Sequence, residues 1–147
     1  MKLRHLLVSF CFVSAAAALC AAGNHTKGAD VAQVSQGAEI SLADYVVPGK
    51  TTIFDFSSDY CGPCRRYTEP LAHLHAKKAD IAVVRVDINR PNVKGIDWGS
   101  PVAREFGLES IPHFKVYGPD GKLVAEDGSE SYAGRMIVDK MIQALGE

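Results

Sequence analysis

Thr51-Thr52-Ile53-Phe54-Asp55-Phe56-Ser57 runs through Ser58-Asp59-Tyr60 into Cys61-Gly62-Pro63-Cys64. The first seven residues are dense in β-branched and aromatic types, the pattern of a strand buried in a sheet. From Cys61 onward the spacing turns helical: Tyr67, Leu71, Leu74 and Ala79 share one side, with Arg65, Arg66, Lys77 and Lys78 toward solvent. Pro70 is expected to kink this helix. Two cysteines therefore stand where a buried strand gives way to a helix. A helix N-terminus supplies unpaired N–H groups and the positive end of the dipole, and both favour thiolate over thiol. Cys61 is the expected nucleophile. Pro63 falls in the first turn, where its missing N–H costs little. The two-residue spacer lets Cys64 reach the sulfur of Cys61 and resolve a mixed disulfide.

Three other readings of the pair are disfavoured. A structural disulfide closing so small a loop would remove little chain entropy. A zinc site needs two more ligands, and His73 and His75 on the same helix do not share a face. Covalent haem attachment would require His after the second cysteine, where Arg65 stands.

Upstream, Met1-Lys2-Leu3-Arg4-His5 is a short positive segment followed by an apolar run over residues 6–22 that ends in small residues. This is the layout of a secretory signal peptide, expected over residues 1–22 with cleavage near Ala22-Gly23. A membrane-spanning anchor would need roughly 20 apolar residues, and a lipoprotein signal at Cys20 would place the bulky Leu19 where a small residue is wanted. Cleavage discards Cys11 and Cys20 and leaves one pair, Cys61 and Cys64. Export then places that pair outside the cytosol, where disulfides persist. The exported form would carry 14 basic and 17 acidic residues, a net charge of −3.

The whole chain has 147 residues, 47% hydrophobic and 22% charged, which fits one globular domain. Sixteen Lys and Arg against seventeen Asp and Glu leave no electrostatic footprint for nucleic acid or an anionic membrane.

Residues 23–37 read as a flexible lead-in and residues 38–147 as the folded domain. Residues 38–42 suggest a short strand running into a brief helix over 43–46, closed by the Pro48-Gly49-Lys50 turn. Residues 81–88 form a second apolar strand, so strand, helix and strand follow in the manner of a right-handed parallel unit. Residues 89–99 are a loop containing Trp98, the single tryptophan. Ser100-Pro101 opens a short helix through Phe106 that ends at Gly107. His113 to Tyr117 and Leu123 to Glu126 flank a Pro119-Asp120-Gly121-Lys122 turn as an antiparallel hairpin. The last helix spans residues 132–145, with Ile137, Val138, Met141, Ile142 and Leu145 on its apolar side.

Phe54-Asp55-Phe56, Tyr60-Cys61-Gly62-Pro63-Cys64 and Ile111-Pro112, in that order, resemble the thioredoxin superfamily over about residues 38–146. The resemblance implies an α/β thioredoxin fold, a central mixed sheet flanked by helices, with Tyr60, Gly62 and Pro63 on the substrate-facing rim. It also implies a cis Pro112 beside the dithiol, with the backbone of Ile111 binding substrate as an added strand. Asp55 lies inside an apolar strand, where an ionised carboxylate is expensive and its pKa should rise. The resemblance makes it the general acid/base for Cys64.

The chain departs from the family pattern at several points. Ser57 replaces an aromatic, Tyr60 a Trp and His113 a Thr. Val83 takes the place expected of the lysine that pairs with the buried aspartate. Pro70 falls one residue later than the usual helix proline. His113 reads equally as a residue that tunes the thiolate and as a surface strand residue, and Trp98 as a packing residue or a contact.

The resemblance extends to exported thioredoxin-like proteins of the bacterial envelope. It implies a periplasmic monomer that reduces disulfides in other exported proteins and draws electrons from a transmembrane thiol relay. It requires no metal and no cofactor beyond the redox-active Cys61–Cys64 pair. A net oxidant or isomerase, and a non-catalytic metal-binding or docking module on the same fold, are the competing readings.

Overall fold

The computed structural model describes residues 30–146. The apolar run, its cleavage point, Cys11 and Cys20 lie outside the described residues. The elements in chain order are β1 (Ala32–Val34), a 3-10 helix (Leu42–Tyr45), β2 (Thr51–Ser57), α1 (Gly62–Lys77), β3 (Ile81–Asp87), α2 (Pro101–Glu105), β4 (His113–Tyr117), β5 (Leu123–Glu126) and α3 (Ala133–Gln143). The five strands form one mixed sheet in the order β1-β3-β2-β4-β5.

β2 lies at the centre because it can be buried on both faces. Every residue from Thr52 to Ser58 is buried, and β2 pairs in parallel with β3 and antiparallel with β4. Alternation then sends its side chains into two cores. Phe54 and Phe56 join Val84, Val86, Val102 and Leu108 on the α2 side. Ile53 joins Val83, Leu71, Leu74, Phe114 and Val138 on the side covered by α1 and α3. Apolar burial on both faces stabilises β2, whose end leads directly into the cysteines.

α1 is helical as expected and presents Leu71 and Leu74 to the core, but it ends at Lys77, which leaves Ala79 exposed beyond it. The helix continues across Pro70. That residue deprives only the Arg66 carbonyl of its usual partner. The short helix α2 has the expected cap, with the Ser100 hydroxyl accepting from the Ala103 amide at 3.2 Å. The β4–β5 hairpin forms as read.

Two expectations fail at the N-terminal side. Residues 32–34, taken as part of a flexible lead-in, form β1 in parallel register with Val84, Arg85 and Val86. The open edge of β3 supplies hydrogen-bond partners that a three-residue segment cannot announce by periodicity. Residues 38–42 contain no strand; Leu42 is buried, but as the first residue of the 3-10 helix.

Candidate active site

β2 delivers the chain to a tight turn in which the Cys61 amide donates to the Ser58 carbonyl at 3.0 Å and the Tyr60 amide to the Ser58 hydroxyl at 3.2 Å. Cys61 is thereby set as the N-cap of α1, with extended backbone, and the Cys64 amide donates to its sulfur at 3.1 Å. The two cysteines form a disulfide, Sγ–Sγ 2.02 Å. Cys61 is 2% and Cys64 3% exposed, so burial does not distinguish them. Position does: the Cys61 sulfur faces an orphan N–H at the helix start, which stabilises a thiolate there once the bond is reduced.

Gly62 and Pro63 are exposed on the first turn, and Tyr60 is 53% exposed beside them. The Ile111–Pro112 peptide is cis. The Ile111 carbonyl oxygen stands 3.7 Å from the Cys61 sulfur. The fold thus brings Tyr60, Cys61, Gly62, Pro63, Cys64, Ile111 and Pro112 to one end of the sheet.

Asp55 is buried within β2, six residues before Cys61. Burial pushes its carboxyl up to about 7, against the opposing pull of the Arg85 guanidinium and a hydrogen bond with Ser57. Its Oδ1 oxygen has no hydrogen-bond partner. A cavity of about 180 Å³ lined by Asp55, Arg85, Thr68, Leu71, Val83 and Gln33 adjoins it. Asp55, Arg85, Thr68 and Gln33 give this otherwise apolar cavity a polar side.

The cation near Asp55 corrects the sequence reading, which assigned the family's lysine position to Val83. Parallel register places Val83 opposite Ile53 and Arg85 opposite Asp55. Arg85 Nε donates to the Ser57 hydroxyl at 2.8 Å and Nη2 to Asp59 at 2.7 Å, which links the aspartate's surroundings to the turn before Cys61. Counting the β2–β3 register from the two apolar runs would have found it.

His113 is likewise no surface residue. It is 7% exposed and stands edge-on to the Phe56 ring, and burial holds its pKa below the usual histidine range. His75, at the other end of α1, accepts the Val83 amide on Nδ1 at 3.1 Å and so helps tie the helix to β3.

The loop over residues 89–99 is tied internally. Asp97 receives the Arg90 backbone amide and both arms of its guanidinium, and the Asn89 side chain donates to the Val93 and Gly95 carbonyls. Its N-terminal half and Tyr60 flank a groove of about 300 Å³, while Trp98 is 42% exposed.

Comparison with known proteins follows the same lines. A family model described as Thioredoxin matches residues 34–144. Thioredoxin F, chloroplastic, of Oryza sativa subsp. japonica is 28% identical over 96 residues, 65% of this chain and 44% of that protein. Thioredoxin F2, chloroplastic, of Arabidopsis thaliana is 29% identical over 83 residues, 56% of this chain and 40% of that protein. The chain therefore spans less than half the length of these curated relatives.

Among solved structures, a chain of the complex of ferredoxin:thioredoxin reductase with thioredoxin f2 superposes with a TM-score of 0.53 at 22% identity, over 83% of this chain and 99% of that one. A mutant thioredoxin from Halobacterium salinarum gives 0.53 at 20% identity, over 82% and 95%. At these identities the structural likeness is one of fold. The family match, which covers the sheet from the end of β1 through α3 and takes in both cysteines and Pro112, shows that the chain belongs to the thioredoxin family.

Proposed function

We propose that this protein is a thiol–disulfide oxidoreductase that acts, outside the cytosol, as a reductase of disulfides in other exported proteins. The observation that carries the chemistry is the Cys61–Cys64 disulfide at the start of α1, with the Cys64 amide on the Cys61 sulfur. In the reduced protein the Cys61 thiolate attacks one sulfur of a substrate disulfide, forms a mixed disulfide and expels one substrate thiolate. Cys64 then loses its proton and attacks the Cys61 sulfur, which closes the intramolecular disulfide and expels the second thiolate. The substrate gains two electrons and, with protons from solvent, two thiols; the cysteine pair is oxidised by two electrons. Buried Asp55, with its carboxyl pushed up to about 7, is the base that takes the proton of Cys64.

An extended substrate segment lies along the Ile111 backbone as an added strand, with Tyr60, Gly62 and Pro63 as the opposite rim. The apolar run over residues 6–22 supports export to the periplasm, and the Gly-Pro spacer with Ile before Pro112 supports the reducing direction. Turnover in an oxidising compartment then requires an external dithiol donor, and a transmembrane thiol relay has the required chemistry. Titration of the cysteine pair against a glutathione buffer tests the direction. A midpoint near about −270 mV is expected, whereas one near about −120 mV would mark the protein as an oxidant.

A further inference from the structure

The first turn of α3 is joined to the Pro112 segment by contacts that the chemistry above does not use. Arg135 Nη2 donates to the Pro112 carbonyl at 2.6 Å. The Arg135 amide donates to Asp127 Oδ1 at 2.8 Å, and Asp127 Oδ2 accepts from the Phe114 amide at 3.1 Å. Asp127 is 4% exposed and its own amide donates to the Phe114 carbonyl at 2.9 Å. One buried carboxylate thus ties the start of α3 to the strand that begins just after Pro112.

Gly134 permits the approach, because a Cβ there would stand 2.4 Å from the Phe114 carbonyl oxygen. The guanidinium of Arg135 lies 4.7 Å from the centre of the Tyr132 ring, and its Nε is buried without a partner. An arginine serving only solubility would swing into water and satisfy all its donors. This one gives up a hydrogen bond and keeps its contact with Pro112.

We propose that Arg135 is a positioning residue that fixes the Ile111–Pro112 backbone for extended polypeptide substrates. The inference rests on the oxidoreductase reading of the site. The Ile111 carbonyl, 3.7 Å from the Cys61 sulfur, and the Pro112 carbonyl are separated by one residue whose ring locks φ. Holding the second therefore restrains the first relative to the nucleophile. A protein disulfide, which docks through backbone hydrogen bonds to this segment, depends on that restraint. A small disulfide that reacts without docking depends on it much less.

The test compares Arg135→Met, which keeps an apolar stem over Tyr132 and removes every side-chain donor, with Arg135→Lys, which restores a cationic donor group. Steady-state kinetics use insulin as the protein disulfide and 5,5′-dithiobis(2-nitrobenzoate) as the small one. With R135M, KM for insulin should rise about tenfold with little change in kcat, and the ratio of efficiencies, insulin over small disulfide, should fall about tenfold. R135K should recover most of both. Amide exchange at Phe114, whose amide is held by Asp127, should accelerate in R135M and return toward the parent rate in R135K.

Equal losses on the two substrates, no loss on either, or a lysine variant no better than methionine would overturn the proposal. Arg135→Gln carries the same comparison should R135M not fold. Failure of the unsubstituted protein to reduce either disulfide would instead refute the oxidoreductase reading, and amide exchange would then still decide whether Arg135 restrains the segment.

Discussion

Cys61→Ser should reduce the rate of insulin reduction, with dithiothreitol as electron source, to the background of dithiothreitol alone, a loss on the order of 10³-fold or more. Both sulfur–sulfur bonds formed in the cycle contain the Cys61 sulfur: the mixed disulfide with substrate and the internal disulfide that ends the reaction. A serine hydroxyl at the helix N-terminus retains the hydrogen-bond acceptor and so preserves the cap. Circular dichroism and the thermal transition of reduced protein should therefore change little while turnover disappears. Retained turnover in C61S would refute the dithiol mechanism.

Asp55→Asn should make the protein more stable and less active. The Asp55 carboxyl titrates near 7 in the folded protein against 3.8 for an ordinary aspartate. Between those values the folded state holds a proton that the unfolded state has released, so stability falls as pH rises from about 4 through 7 and then levels off. The gap is about three pH units, at about 1.4 kcal/mol each, or about 4 kcal/mol above pH 7. Asparagine removes this charge-burial penalty but leaves amide donors to be satisfied, at a cost of about 1–3 kcal/mol. A net gain of about 2 kcal/mol at pH 8, shrinking toward pH 4, is the expected result of denaturant titrations at a series of pH values. Turnover should drop by about 10²-fold, the low end of the range for general acid–base catalysis, and the pH–rate profile should lose its inflection near 7. A D55N protein whose stability follows pH as the parent's does would refute the buried, proton-holding carboxyl.

The parts of the fold legible in the sequence are those that hydrophobic burial specifies. β2 and β3 are unbroken apolar runs, and the β4–β5 hairpin is fixed by its turn. α3 carries an apolar stripe, although it begins and ends within two residues of the expected limits. β1 was not legible, because it exists through the edge of β3: three residues with exposed Gln33 at the centre show no pattern of their own.

The cysteine pair and Pro112 were readable as local motifs. Arg85 was not, since its relation to Asp55 is a matter of strand register. Asp127 and Arg135 reach Phe114 and Pro112 from 13 and 23 residues away, and nothing in their neighbours announces those contacts. The sequence leaves His113 open between a site residue and a surface strand residue, because nothing in its two-period strand announces that the Phe56 ring beside it makes the second face a core as well.

Trapping tests the central claim most directly. Reduced Cys64→Ser protein, mixed with insulin and quenched with acid, should form a covalent adduct through Cys61 that persists on a non-reducing gel and dissolves with dithiothreitol, because the resolving thiol is absent. The Cys61→Ser protein should form none under the same conditions. Adducts formed equally through Cys64 in the C61S protein, or no adduct in C64S, would contradict the assignment of Cys61 as the attacking thiol.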